Sequence, residues 1–252
     1  MDAAAPRQHL EWDSRFFERR IARVAASRLD ADLVTRILAW CEAEVIQCLY
    51  FLADPADATT IRLAEDHRFR LVDVRMTLGR TLTDEVQASG STTRAVIRPA
   101  APADVPALRA IARVSHRDSR FYHDGAFPPA RCDGLYETWI EKSCTGDADA
   151  VLVAELDERP VAYATCHRRA TGRGQIGLFA VARESQGKGV GACLLGQALG
   201  WFSGQGLGEA TVVTQGRATA AQRLYQRGGF LTRSVELWYH RWSAPAGSEA
   251  SG

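Results

Sequence analysis

The sequence predicts an α/β (α+β) chain: a mixed central sheet with flanking helices over residues 94–242, preceded by a smaller α/β half over residues 1–80. Three observations predict it. Apolar runs of strand length alternate with amphipathic helical stripes in both parts. The turn Asp157-Glu158-Arg159 between two apolar runs signals a hairpin, and so antiparallel pairing, in the second part. A glycine-rich loop, Gln186-Gly-Lys-Gly-Val-Gly-Ala192, follows an apolar strand through a short polar turn and runs straight onto a helix.

In the first part, Ile21–Val24 reads as strand, Asp30 to Glu42 as helix, Val45 to Leu52 as strand, Pro55 to Glu65 as helix and Phe69 to Leu78 as strand. The apolar run Val45-Ile-Gln-Cys-Leu-Tyr-Phe-Leu52 is that of a strand covered on both faces. Residues 81–93 include Gln-Ala-Ser-Gly-Ser-Thr-Thr, carry no apolar periodicity and read as the linker. The second part opens with the alternating strand Arg94–Arg98. A helix follows from about Pro102, with Val105, Leu108, Ile111 and Ala112 inward, and another after Pro128-Pro129, with Leu135, Tyr136, Trp139 and Ile140 on one face. Ala150–Leu156 and Pro160–Cys166 form the hairpin. After the glycine loop, Val190, Leu194, Leu195, Ala198, Trp201 and Phe202 make one stripe of a helix that Gly204 and Gly206 end. A strand at Ala210–Thr214, a helix from Thr219 to Arg227, a Gly228-Gly229 stop and a final strand to Trp242 complete the part, and 243–252 is a polar tail expected to be disordered. No internal sequence repeat is visible, yet a structural copy of part of the second half within the first would show as a similar strand order.

Composition narrows the function classes. The chain has 252 residues, 31 basic and 30 acidic side chains and a formal net charge of +1, so no global field draws it to nucleic acid or membrane. The N-terminus lacks a basic region followed by an apolar run, and no apolar stretch is long enough for a bilayer, which suits a cytoplasmic protein. Six cysteines (Cys41, Cys48, Cys132, Cys144, Cys166, Cys193) lack C-x-x-C spacing and match neither a metal site nor a disulfide framework. No metal is expected.

The loop is where chemistry is legible. Gly187, Gly189 and Gly191 let the backbone turn tightly and its N–H groups converge on an anion at a helix N-terminus. A dinucleotide loop would place its first glycine directly after the strand, and a Walker loop would follow Gly-Lys with Ser or Thr. Here Ala182 to Gln186 intervene, and Lys188 is followed by Gly189.

The pattern Gln186-x-x-Gly189-x-Gly191-Ala192 instead resembles the acetyl-CoA loop of the GCN5-related N-acetyltransferases (GNAT), and the element order over 94–242 resembles their whole domain. Glu11-Trp-Asp-Ser-Arg-Phe-Phe17, Phe69-Arg-Leu-Val-Asp73, Ser119-Arg-Phe-Tyr122, Trp139-Ile-Glu141 and Thr214-Gln215 with Thr219-Ala-Ala221 and Tyr225 resemble the branch of that family acting on nucleotide-linked 4-amino-4,6-dideoxyhexoses. The resemblance implies direct acetyl transfer from acetyl-CoA to a small-molecule primary amine. It assigns Leu178, Phe179 and Val181 to the pantetheine arm, a backbone N–H such as that of Val181 to the oxyanion, and Gln186, Gly187, Lys188, Gly189, Val190, Gly191 and Ala192 to the pyrophosphate. Tyr225 becomes the general acid for the departing thiolate, although without the resemblance it reads as packing beside Leu224. The family's usual Asn is Ala218 here, and the adjacent Arg217 is offered as its substitute at the cofactor. On the acceptor side, Arg120 is matched to a nucleotide phosphate, Phe121 or Tyr122 to a base, and His167 and His123 are candidate bases, each with surface or packing roles as the alternative. Trp12, Phe16 and Phe17 form an aromatic cluster whose expected job is packing between the halves. Relatives are compatible with a homodimer. The rival readings are a GNAT enzyme for another amine (an antibiotic, an amino acid or a protein N-terminus) and a catalytically silent CoA-binding sensor.

Overall fold

The computed structural model describes residues 6–82, 93–169 and 172–243. In chain order the elements are β1 (Arg7–His9), α1 (Glu11–Phe17), β2 (Ile21–Val24), α2 (Ala31–Ala43), β3 (Cys48–Ala53), α3 (Ala58–Asp66), β4 (Arg70–Thr81), β5 (Val96–Pro99), α4 (Val105–Ser115), α5 (Arg120–Asp124), α6 (Pro129–Lys142), β6 (Ala150–Leu156), β7 (Arg159–Arg169), β8 (Arg173–Val181), α7 (Val190–Gly204), β9 (Glu209–Gln215), α8 (Thr219–Arg227) and β10 (Leu231–Trp242). They divide into two compact units. The first draws on residues up to Arg75, on Arg120–Arg131 and on Val235 onward; the second on Met76–Ser119 and Cys132–Ser234. Most of the linker expected at 81–93, and the tail expected at 243–252, lie outside the described residues.

In the first unit the strand order is β1-β2-β3-β10, continued by the start of β4. β2 and β3 are parallel, while β10 runs antiparallel to β3 from Leu237↔Ala53 to Trp242↔Cys48, so the sheet is mixed. One face is dry: Leu33, Val34, Ile37 and Cys41 of α2 pack with Leu49, Phe51, Ala53 and Tyr239. Asp30 starts α2 by accepting the Leu33 N–H at 2.7 Å, and the Val45 and Ile46 N–H groups close its last carbonyls. That closure puts Val45 in a left-handed conformation (φ 51°) with 65% of its surface exposed, so the strand begins at Cys48 and not at Val45. The other face is aromatic. Phe17 packs on Phe121 and Phe127, with ring centroids 5.4 and 4.4 Å away, and Trp12 stacks on Phe16. These ring contacts, and the pairing of β10 with β3, put residues 120–131 and 235–242 in the first unit, whereas the sequence reading kept 94–242 as one domain.

The second unit is ordered β5-β6-β7-β8-β9, continued by the end of β4. β5 to β8 are antiparallel and β8–β9 parallel, again a mixed sheet with flanking helices. The hairpin turns at Asp157 and Glu158, both at positive φ (47° and 61°), which matches the right-handed twist of β6 and β7. Leu108, Ile111 and Ala112 of α4, Leu135, Tyr136 and Ile140 of α6 and Leu194, Leu195, Ala198 and Phe202 of α7 supply the core. The expected inward residues largely hold, but Trp201 stays partly exposed while Leu199 is buried. The runs β2-α2-β3-α3-β4 and β8-α7-β9-α8-β10 share one order, strand–helix–strand–helix–strand, with the first two strands parallel in each.

His116 at the end of α4 lies between two tyrosines of the second unit: it stacks on Tyr136 at 4.4 Å and meets the Tyr163 hydroxyl at 2.9 Å. Burial holds its pKa down to about 4, against an ordinary 6.5. Because the unfolded chain binds this proton first, the group costs stability as pH falls from about 6.5 to about 4 and costs nothing above that window, a loss of about 3 kcal/mol at most. Urea midpoints measured across this range are expected to fall with pH, and His116→Gln to flatten the slope.

Candidate active site

Backbone geometry at the end of β8 builds the site. β8 and β9 pair from Arg173↔Glu209 to Ile176↔Val212 and then separate, although β8 continues to Val181 and β9 to Gln215. On its other side, β8 carries a bulge against β7: Cys166 faces Ile176, but Ala164 faces Phe179. The Leu178 N–H displaced from the ladder donates to Thr165 Oγ1 at 2.8 Å. Beyond the bulge the Ala182 N–H donates to the Val161 carbonyl at 2.7 Å, which makes Ala162↔Val181 and Ala164↔Phe179 the non-hydrogen-bonded pairs. Phe179 and Val181 therefore turn their N–H and C=O groups to the edge that β9 has left. The Val181 carbonyl accepts from Gln186 Nε2 at 3.0 Å, and this ties the loop to the strand.

The glycine loop completes the arrangement. Gly187 and Gly189 have φ of +72° and +77°, where an L side chain is strained, and α7 begins directly after Gly189 with no side chain capping it. No acidic residue occupies its first turn. The N–H groups of Val190, Gly191 and Ala192 are thus turned toward the positive end of a 15-residue helix dipole, a setting that favours an anion. A Cβ at Gly191 would sit 3.5 Å from both Val181 and Leu224, so the helix start is packed against β8 and α8. Lys188 and Gln186 are exposed beside it.

Tyr225 on α8 is 4% exposed, and its ring meets Phe179 edge-on with centroids 6.0 Å apart. Two residues named from the sequence for different tasks are therefore in contact. Burial raises the phenol pKa well above its ordinary value, so the ring keeps its proton at working pH. The sequence reading missed Gln222. Its amide donates to the Gln215 and Gly216 carbonyls, both at 2.9 Å, and closes the β9–α8 turn that Ala218 leaves without a side-chain cap. A polar residue one helical turn after Ala218 was the available signal. Arg217 is exposed and reaches the Asp118 carbonyl at 3.4 Å.

The acceptor residues are divided between the units. Arg120, Phe121 and Tyr122 belong to the first, His167 to the second. Phe121 is 3% exposed and enclosed by Phe17, Phe127 and Tyr50, so its ring is not available for the expected stacking on a base. Tyr122 is half-buried, and His123 is exposed. The Arg120 guanidinium lies 4.1, 4.4 and 4.7 Å from the ring centroids of Trp238, Phe121 and Tyr50. Its Nε, the Tyr50 hydroxyl and His240 Nε2 are buried and without a hydrogen-bond partner among the described residues. Asp124 accepts from His240 Nδ1 and from Trp242 Nε1, the latter at 2.9 Å. Burial, opposed by the bond to Asp124, holds the His240 pKa down to about 4, so its Nε2 carries a lone pair at neutral pH. His167 does not present a free nitrogen as a base should: Nε2 is 3.1 Å from Thr165 Oγ1, and the ring also bonds the Asp147 backbone. Among the described residues no cluster of three His, Cys, Asp or Glu could hold a metal, and no helix is long and apolar enough to cross a membrane.

Comparison with known proteins agrees with this geometry. Residues 114–230 match the Acetyltransferase (GNAT) family. The chain is 30% identical over 140 residues to a dTDP-fucosamine acetyltransferase of Escherichia coli O6:H1, covering 55% of this chain and 59% of that protein. It is 26% identical over 144 residues to the spore coat polysaccharide biosynthesis protein SpsD of Bacillus subtilis, covering 57% and 50%. The chain thus spans between half and three fifths of these curated relatives. In fold it is similar to a GCN5-related N-acetyltransferase from Sphaerobacter thermophilus, with a TM-score of 0.68 at 18% identity over 94% of this chain and 76% of that one. A branched side chain at Gly189 would force the loop out of its left-handed turn. Gly189→Val is expected to weaken CoA binding in calorimetric titration by about tenfold or more while leaving the circular dichroism spectrum unchanged.

Proposed function

We propose that the protein, whose residues 114–230 match the GNAT acetyltransferase family, moves acetyl from acetyl-CoA to the primary amine of a nucleotide-linked amino sugar, in the first place a dTDP-4-amino-4,6-dideoxyhexose. One observation carries the chemistry: the open edge at Phe179 and Val181, the uncapped glycine loop and the Tyr225 ring meet at the end of β8. These residues fit acetyl-CoA. Backbone N–H groups from Gly187 to Ala192, with Lys188, hold the pyrophosphate, and the free N–H and C=O groups of β8 take the pantetheine arm as a neighbouring strand would. Acetyl-CoA supplies an acyl group activated as a thioester. In this reading the Val181 N–H is the donor for the thioester oxygen as charge develops on it, and the β7–β8 register fixes that donor before reaction. The neutral amine attacks the thioester carbon, the C–S bond breaks as Tyr225 gives its proton to the departing sulfur, and the proton shed by the amine passes through water and restores the phenol. The relatives' names support a sugar-linked acceptor. Arg120, with its guanidinium between three rings and no ion pair among the described residues, takes the acceptor phosphate in this reading.

A mass-spectrometric screen with acetyl-CoA against dTDP- and UDP-linked 3-amino and 4-amino deoxysugars, an aminoglycoside and peptides is expected to give acetylation of a sugar nucleotide. Modification of peptides or drugs alone would overturn the acceptor, and CoA binding with no transfer would overturn the enzyme. Tyr225→Phe is expected to lower kcat by about 10²-fold or more with acetyl-CoA binding retained. Since burial raises the Tyr225 pKa, the alkaline loss of kcat that an ordinary phenol would cause near pH ~10 is displaced upward, and the pH profile of the wild type should stay flat there.

A further inference from the structure

We infer that Thr165 is a positioning residue for acetyl transfer: its hydroxyl, oriented by His167, pins the β8 bulge that turns the Phe179 and Val181 N–H groups into the site. The inference rests on the function proposed above. Its structural basis lies wholly within the second unit.

The bulge decides which backbone groups are free. Upstream the register pairs His167 with Gln175 and Cys166 with Ile176. Continued without interruption, it would set Phe179 opposite Tyr163 and Val181 opposite Val161. Val161 is a hydrogen-bonding position of β7, since its carbonyl accepts from Ala182, and Tyr163, two residues on, shares that phase. An unbulged β8 would therefore spend the Phe179 and Val181 N–H groups on β7 and turn Leu178 and Ala180 to the open edge instead. One extra residue in β8 reverses this, but it leaves the Leu178 N–H out of the ladder. Thr165, fully buried opposite the bulge, accepts that N–H at 2.8 Å.

The direction of the remaining bonds follows from the donors. The Thr165 oxygen keeps a second lone pair after accepting from Leu178, so the tautomer of His167 sets the direction: with the Asp147 carbonyl taking the ring N–H, Nε2 accepts the Thr165 hydroxyl proton 3.1 Å away. The other ring nitrogen then carries the hydrogen and donates to the Asp147 carbonyl. The chain of bonds runs from Leu178 N–H to Thr165, from Thr165 O–H to His167, and from His167 N–H to Asp147. Gly177 makes room for it. A Cβ there would lie 2.5 Å from His167 Nε2 and 2.8 Å from Thr165 Oγ1, so any side chain at 177 would part the hydroxyl, the ring and the bulge. His167 accordingly serves the strand and not the amine.

The test separates positioning from packing. Thr165→Val keeps the shape and removes the acceptor, and is expected to lower kcat by about 10- to 100-fold, with KM for acetyl-CoA within about twofold. Thr165→Ser, which restores the hydroxyl, should recover most of the loss. His167→Leu should lose more kcat than His167→Gln, whose amide oxygen also accepts the hydroxyl, and these variants serve if Thr165→Val does not fold. Wild-type kcat in Thr165→Val, a parallel change in KM and kcat, or failure of serine to rescue would overturn the inference. A second readout needs no reaction: amide hydrogen exchange at Leu178 should accelerate about tenfold or more in Thr165→Val and not in Thr165→Ser. Unchanged exchange removes the pin even if the enzyme is active. Altered exchange in a protein that transfers nothing retains the pin and rejects the proposed function.

Discussion

Every backbone polar group in a folded chain needs a partner, and at the end of β8 the sheet does not supply one, a demand that the function proposed above gives to a ligand. β9 departs after Val212, so the Phe179 and Val181 groups face an edge with no strand beside it. An exposed strand edge is ordinarily a hazard. Here it is short, and the glycine loop and Tyr225 crowd its far end, so an extended chain of amide groups fits where a full strand would not. The bulge, the Gln186 bond to Val181 and the packing of Gly191 on Val181 and Leu224 all serve to hold that edge in place. Much of the site is main chain. Its specificity therefore resides in φ angles and register more than in reactive side chains.

The two strand–helix–strand–helix–strand runs show how little separates a binding loop from a structural one. In the first unit the chain between β2 and α2 ends on Asp30, whose carboxylate accepts the Leu33 N–H and meets the dipole of α2 itself. In the second, the equivalent turn ends on Gly189, which supplies no side chain, so the first-turn donors of α7 are left for an external anion. A capping carboxylate at the first and a glycine at the second give the same fold with opposite consequences. An anion placed at the start of α2 would be repelled by Asp30, whereas one at α7 meets only N–H groups and Lys188.

Periodicity made the long elements legible: α2, α6, α7 and the β6–β7 hairpin follow from stripes and turn chemistry that are local in the chain. The glycine loop was legible for the same reason, because a left-handed turn admits few residue types. What escaped the sequence depends on distant partners. The five-residue α5 has no periodicity of its own and is ordered by Phe121 packing on Phe17, more than a hundred positions away. The apolar run Val45 to Leu52 looked continuous, yet the first residues close α2. His167 looked free because titration near neutral pH marks a base, but the bulge engages its nitrogen through Thr165. A bulge is one extra residue, and nothing in the local pattern of β8 announces it.

The aromatic face of the first unit poses a problem of charge balance. Arg120 is wedged among Trp238, Phe121 and Tyr50, where cation–π attraction offsets part of the lost hydration but leaves the buried Nε–H without a partner among the described residues. Two carboxylates are close enough to sense its charge or share its surroundings, and neither neutralises it by contact. Asp124 is committed to His240 and Trp242, and Asp13 has its pKa raised by burial, with Arg120 only opposing the rise. Arg120 is half-buried, and a buried Nε–H with no acceptor costs stability that an apolar side chain would not. In the proposed reading the arrangement becomes favourable when a ligand brings its own negative charge to the Arg120 donors. A phosphorylated sugar carries that charge as a phosphate, which an aminoglycoside or a peptide N-terminus lacks. The charge on Arg120 is thus a support for the proposed sugar-nucleotide acceptor that is independent of the glycine loop.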